Sequence, residues 1–140
     1  MIDITQDITK FLPQRPPFVL VDKLRMCNEE ETNSSFLVPE SHIMVKDNKL
    51  NAGGLVENMA QTAAAGTGYL GLLNNEEVKR GYIGAIKNLN IYKLPKVGTM
   101  LFTRTMSVNK VMNVNIIRGY IHDKEGFKYA ECEMKIFLEE

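Results

Sequence analysis

Apolar positions change their spacing twice along the chain, and each change marks a change of element. Residues 13–17 read PQRPP, whose three prolines remove backbone donors and push their neighbours out of helical geometry, which predicts a stiff extended arm. FVLVDKLRMC (18–27) predicts a strand, NEEET a polar turn and NSSFLVP (33–39) a second strand, together a hairpin. From Ala52 to about Leu73 the period becomes helical. Leu55, Met59, Ala63 and Leu70 recur at helical intervals with Val56, Ala60 and Ala64 beside them, and alanine-rich sequence favours helix. The small residues Ala60, Ala63, Ala64, Ala65 and Gly66 would let a sheet pack close to its axis. Beyond Asn74 period two returns, in residues 81–94, 99–112 and 114–123. After the turn KEG comes a last strand, with Ala130, Cys132, Met134, Ile136 and Leu138 on one face and Glu131, Glu133 and Lys135 on the other. Long strands joined by short turns predict an α+β architecture: one central helix embraced by a curved antiparallel meander of about five or six strands with one buried face.

Composition narrows the function. With 140 residues, 44% apolar and 24% charged, the chain fits a single globular domain over residues 1–140. Seventeen basic residues balance seventeen acidic ones, which argues against nucleic acid or an anionic membrane and leaves small molecules and proteins as partners. The opening MIDITQDITKFL has no basic segment followed by an apolar run, and residues 52–73 are interrupted by Glu57, Asn58, Gln61 and several glycines. Neither a secretory signal nor a membrane span is expected, and a cytoplasmic location is. Cys27 and Cys132 are too few and too far apart for a metal cluster, so two buried thiols are predicted and no metal or cofactor. The Asn33-Ser34-Ser35 sequon has no meaning without a secretory route.

Two motifs within the helix bear on chemistry. Gly66, Gly68 and Gly71 spell G-T-G-Y-L-G, a formal dinucleotide fingerprint, but that motif works between a strand and the start of a helix, and here it lies toward the helix's C-terminal end. The glycines are expected to end the helix or allow close packing. Glu57 is different. It is the one charge in about twenty residues, and Gly54, Ala60, Gln61 and Ala64, its helical neighbours, offer no cation. If the sheet covers that face, burial disfavours the charged carboxylate while the helix N-terminus favours it. A carboxyl held between those influences suits general acid or base work, worth about 10²–10⁴-fold in rate.

LPQRPPFVLVDKL (12–24) resembles the L-P-H-R-x-P-F-L-L-V-D opening of bacterial 3-hydroxyacyl-acyl carrier protein dehydratases of the FabZ type. GGLVENMAQTAA (53–64) is similar to their G-V-L-x-x-E-A-M-A-Q helix, in the same order and spacing, and weaker similarity continues through GYIGAIKNLNIYKLPKVG (81–98). The resemblance covers most of the chain and implies the hotdog fold, in agreement with the periodicity. It also implies a mechanism: a histidine removes the α-proton of a 3-hydroxyacyl thioester, a helix carboxylate protonates the departing hydroxyl, and N–H groups at the helix N-terminus polarise the carbonyl. Glu57 matches that carboxylate, and Ala52, Gly53 and Gly54 lie where the N–H groups would be.

The family's histidine opens the motif H-F-P-G, fourteen residues ahead of the glutamate, which in this chain is Ile43. His42 is adjacent and reaches the position with a one-residue loop insertion, although SHIMVKDNKLNAG lacks the rest of the motif. His122, at a strand end, is expected to be structural or solvated. Gln61 is expected to hydrogen-bond near the substrate or to be satisfied within a dimer, and Gln14 and Arg15 to serve the substrate or fix the arm. The resemblance implies a homodimer or higher homo-oligomer whose histidine and carboxylate come from different subunits. It further implies an acyl carrier protein partner, for which Lys79, Arg80, Lys87, Lys93 and Lys96 are the candidate contacts. Two other functions suit the same architecture: an acyl thioesterase, in which the helix carboxylate directs water at the thioester, and a catalytically silent subunit that binds an acyl chain or scaffolds an active partner.

Overall fold

Helix α1 runs from Ala52 to Leu73, the bounds that the apolar spacing predicts, in a computed structural model that describes residues 3–139. Asn51 caps its start, accepting the Gly54 N–H at 2.7 Å, and Asn74 closes its end with its N–H on the Gly71 carbonyl. A six-stranded antiparallel sheet wraps the helix in the hotdog arrangement. Its strands are β1 (Lys23–Cys27), β2 (Glu31–Leu37), β5 (Gly81–Ile91), β6 (Met100–Val111), β7 (Val114–His122) and β8 (Lys128–Leu138), in the order β1-β2-β6-β7-β8-β5. Strands β6, β7 and β8 are the predicted meander. Strand β5 is not part of it: it pairs with β8 and forms one edge of the sheet, opposite β1. Periodicity tells which face of a strand is buried and nothing about its neighbour. A small second sheet, β3 (Val45–Lys46) with β4 (Lys49–Leu50), turns through Asp47 and Asn48, both at positive φ, in a segment read from sequence as loop.

Leu55, Met59, Ala60 and Ala63 of the helix bury against Phe36, Leu101, Ile117, Ile121, Met134 and Ile136 of the sheet. The alternation expected of the last strand holds for Ala130, Cys132, Met134 and Ile136, all buried. The opposite side of the helix carries a second cluster, in which Ala65 meets Ile8, Phe11, Leu12, Val21 and Leu24. Here the glycines act through space. A side chain on Gly66 would collide with Thr32, and one on Gly68 with the backbone carbonyl of Phe11. Close packing, not termination, is their role, since the helix continues past both.

Two departures concern the N-terminal arm. The proline segment is not extended throughout: it turns, with the Phe18 N–H on the Arg15 carbonyl at 2.9 Å, while the Arg15 guanidinium holds the carbonyls of Leu12 and Gln14 at 2.6 and 2.8 Å. The strand expected from residue 18 begins only at Lys23. Residues 18–20 instead lie over the helix, where side-chain amides take the place of a neighbouring strand, and Asp22 rejoins β2 with its N–H on the Ser35 carbonyl at 2.9 Å. No helix of the described residues is long and apolar enough to cross a membrane.

Candidate active site

The helix amides that hold the arm also build the surroundings of Glu57. Gln61, four residues on and therefore on the same face, accepts the Leu20 N–H at 2.7 Å and donates to the Phe18 carbonyl at 2.9 Å. Its amide also lies 3.5 Å from the Glu57 carboxylate. Asn58 donates to the Leu20 carbonyl at 2.7 Å and accepts the Thr103 hydroxyl. Gln61 and Asn58 together thus satisfy both backbone groups of a buried residue. Gln61, expected beside the substrate, spends its hydrogen bonds on the arm and on Glu57.

Glu57 is half-buried and forms no ion pair among the described residues. It lines a pocket of about 220 Å³ with Ala60 and Ala64 from the helix, Gly81, Tyr82 and Ile83 from β5, Ile136 from β8, and Gln14 from the arm. The Tyr82 hydroxyl is already bound to Glu139 at 3.0 Å. A single carboxyl over mostly apolar walls is a setting for delivering or accepting one proton. The alanines of this pocket are visible in the sequence, but its β5 and β8 walls depend on a long-range pairing that no local pattern announces.

At the helix N-terminus the three expected amides divide. The N–H of buried Gly54 is committed to the Asn51 cap, whereas Ala52 and Gly53 are exposed and their amides are the ones available to an oxyanion. His42 is tied to the same end of the helix: its Nδ1 accepts the Met44 N–H at 3.0 Å, and the Met44 carbonyl accepts the Asn51 N–H at 2.9 Å. The other ring nitrogen donates to the Val19 carbonyl at 3.0 Å, and the ring stands edge-on to Phe36. Both nitrogens are therefore occupied. His42 lines a separate pocket of about 450 Å³ with residues 5–9, Pro16, Pro17 and Phe36, and Glu57 is not among its walls. Within one chain the two candidate catalytic residues face different spaces.

The remaining candidates lie apart from this site. His122 sits at the end of β7, with Nδ1 on the Asp123 carbonyl and its ring stacked on Phe102. Cys132 is buried against Met59, and that burial pushes its thiol up to about 11. Burial likewise raises Cys27, partly offset by its bond to Thr32. No cluster of metal-ligating side chains occurs among the described residues.

The sequence profile of the ApeP-like family, described as ApeP dehydratase, matches residues 6–137. The chain belongs to the ApeP-like dehydratase family. No curated protein matches it in sequence. Among solved structures, one of the dehydratase heterocomplex ApeI:P from Xenorhabdus doucetiae superposes with a TM-score of 0.89 at 14% identity, over 96% of this chain and 91% of that one. A hypothetical thioesterase from Streptococcus pneumoniae TIGR4, solved with coenzyme A, gives 0.67 at 14% identity over 84% of each chain. The PaaI protein of E. coli gives 0.65 at 12% identity, over 81% of this chain and 80% of that one. At these identities the likeness is one of fold, and within this fold the family is one of dehydratases.

Proposed function

We propose that the chain is a cytoplasmic dehydratase subunit that converts 3-hydroxyacyl thioesters, carried on an acyl carrier protein, into trans-2-enoyl thioesters in the FabZ manner, with Glu57 as the proton donor. The observation that carries this is the pocket around Glu57: a half-buried carboxyl without a cation, next to apolar walls suited to an acyl chain. In the reaction a base takes the C2 proton, and the electron pair left behind becomes the C2=C3 bond. As the C3–O bond breaks, the Glu57 carboxyl gives its proton to the departing oxygen and water leaves. The thioester carbonyl, on which negative charge gathers, accepts the N–H groups of Ala52 and Gly53.

The base determines the assembly. For His42 to take the proton its Nδ1 must first release the Met44 N–H, and His42 does not share the Glu57 pocket. A site completed across an interface answers the second point, and β5 supplies a surface for one: an unpaired sheet edge bearing exposed Tyr82, Ile86 and Leu89. A second copy would bring a His42 bound in the same way. A different hotdog chain with a free histidine fits better, and the ApeI:P structure is that of a dehydratase heterocomplex. Lys79 and Arg80, exposed immediately before the Gly81 and Tyr82 that line the pocket, are placed to meet an acidic carrier protein at its rim.

The committed nitrogens of His42 also favour one alternative, a silent subunit that binds the acyl chain and lends shape to an active partner. The test follows enoyl absorbance and free thiol together, with a 3-hydroxyacyl and a trans-2-enoyl thioester, on the chain alone and in its isolated assembly. Enoyl change without thiol release, reduced about 10²-fold or more by Glu57→Gln, is the expected result. Thiol release would make the protein a thioesterase, and neither change on the chain alone, with turnover of the assembly indifferent to Glu57→Gln, would leave the silent subunit.

A further inference from the structure

We infer that the outer face of the sheet, at a groove across β1, β2, β6 and β7, docks an acidic segment of a partner protein, a binding function separate from the Glu57 chemistry. The groove, of about 480 Å³, is lined by Arg25, Asn33, Phe102, Arg104 and His122 together with Ser34 and Thr103. Thr103 gives its hydroxyl to Asn58 of the helix, so its strand neighbours Phe102 and Arg104 face away from the helix. His122 pairs with Phe102 across β7 and β6, and the two rings stack with centroids 6.0 Å apart. This stack supplies an apolar floor beside two arginines. Glu57 is not among the walls, and a partner docked here leaves its pocket open.

Charge on this face is one-sided in a chain whose net charge is zero. The six strands of the sheet contain the carboxylates Glu31, Glu131 and Glu133 and no others. Each is already paired, with Arg104 at 3.0 Å, Lys128 at 3.3 Å and Arg118 at 3.5 Å respectively. Arg25, exposed on the edge strand β1, has no carboxylate partner among the described residues. Its Nε donates to the Ser35 hydroxyl at 2.9 Å, which ties the guanidinium to β2 while both terminal nitrogens stay without a partner among the described residues. Arg104 spends one terminal nitrogen on Glu31, and its side chain is 49% exposed. Both guanidinium groups are therefore open to an arriving group, and their planar forks match a carboxylate bidentately. An acidic side chain entering the groove sets its carboxylate against Arg25 and Arg104 and its methylenes on the Phe102–His122 stack. Nucleic acid fits less well, because a phosphate polymer gains its affinity from many neutralised phosphates and this chain has no excess of cations.

The experiment follows the fluorescence anisotropy of fluorescein-labelled octaglutamate titrated with the full chain in the assembly in which it purifies, at about 50 mM salt, where surface charges are weakly screened. Wild-type protein is expected to bind, and Arg25→Gln to weaken binding about three- to fivefold, the upper range of one exposed ion pair. Glu31→Gln acts in the opposite direction: it releases Arg104 and removes a like charge, so affinity is expected to rise about threefold. Lys46→Gln, an equal loss of charge at an exposed residue outside the groove, is expected to leave affinity unchanged. Matching thermal melts check that each variant is folded. No binding by wild type, equal weakening by Arg25→Gln and Lys46→Gln, or a fall in affinity in Glu31→Gln overturns the assignment. Labelled octauridylate binding more tightly than octaglutamate overturns it as well, in favour of nucleic acid. None of these outcomes bears on Glu57.

Discussion

Replacing Gln61 by leucine separates two roles for a helix amide that sequence alone leaves side by side. The structure spends this amide on the arm, so its loss should appear as instability. The Leu20 N–H, on a residue with 1% of its surface exposed, would lose its acceptor in a place water does not reach. An orphaned buried donor costs about 1–3 kcal/mol. The Phe18 carbonyl belongs to an exposed residue and can return to water, so that bond adds about 1 kcal/mol or less. Extra apolar burial by leucine offsets part of the sum, leaving a net destabilisation of about 2 kcal/mol. With a urea dependence of about 2 kcal/mol per molar, the unfolding midpoint falls by about 1 M at unchanged slope. Asn58→Leu should act similarly through the Leu20 carbonyl and Thr103. Because both amides hold one residue, the double variant should lose less than the two singles combined, by about 0.5 kcal/mol or more. An unchanged midpoint in Gln61→Leu together with lost thioester binding would refute this and return Gln61 to the substrate.

Two glycines of α1 should respond to alanine with opposite signs. In Gly68→Ala the new methyl meets the Phe11 carbonyl, a backbone atom that cannot rotate away, and overpacking of about 1–3 kcal/mol outweighs the gain in helix propensity. In Gly71→Ala the nearest atom is Glu76 Cβ at an ordinary 3.7 Å, so propensity prevails and stability rises by about 0.5–1 kcal/mol; thermal melts of the pair test both signs. Cys132 should make the fold sensitive to alkali. Its thiol, raised to about 11 by burial, stays protonated in the folded chain after the unfolded one has ionised, so its contribution is intact below about pH 9 and falls as pH rises from 9 to 11. The loss amounts to about 2–3 kcal/mol. Denaturation of wild type and Cys132→Val across that range should converge toward high pH, and parallel curves would show that the thiol does not titrate in this way.

Much of the architecture is legible because it depends on local periodicity. Spacing at i, i+3 and i+4 together with alanine content locates α1, and the alternation of Ala130, Cys132, Met134 and Ile136 identifies the buried face of β8. What escapes notice is set by contacts distant in sequence. Nothing in GYIGAIKNLNI says that it pairs with β8 and stays at an edge, since both outcomes need the same pattern. The β3–β4 hairpin carries its signal in Asp47-Asn48, but two-residue strands are too short to register as alternation. Segment 18–20 has the composition of a strand and becomes an arm because Asn58 and Gln61, two amides in an apolar helix, supply hydrogen bonds to Phe18 and Leu20 that a neighbouring strand would have made.

The same reasoning explains why the candidate site is only partly visible. An isolated carboxylate such as Glu57 is conspicuous in sequence because charge is expensive among apolar neighbours. Gln14 is inconspicuous, since a glutamine in a proline-rich arm looks like any solvated residue until the arm is seen to fold onto the helix. That folding depends on the far half of α1: Gly66 and Gly68 remove the side chains that would hold Thr32 and Phe11 away, and Phe11 in turn positions the segment that carries Gln14. The helix thus has two functions along one axis. Its first turns present Glu57 and the free amides, and its later turns, by being small, bring the arm close enough to form one wall of the Glu57 pocket. A substitution that fills the glycine end should therefore disturb that pocket without touching any residue that lines it.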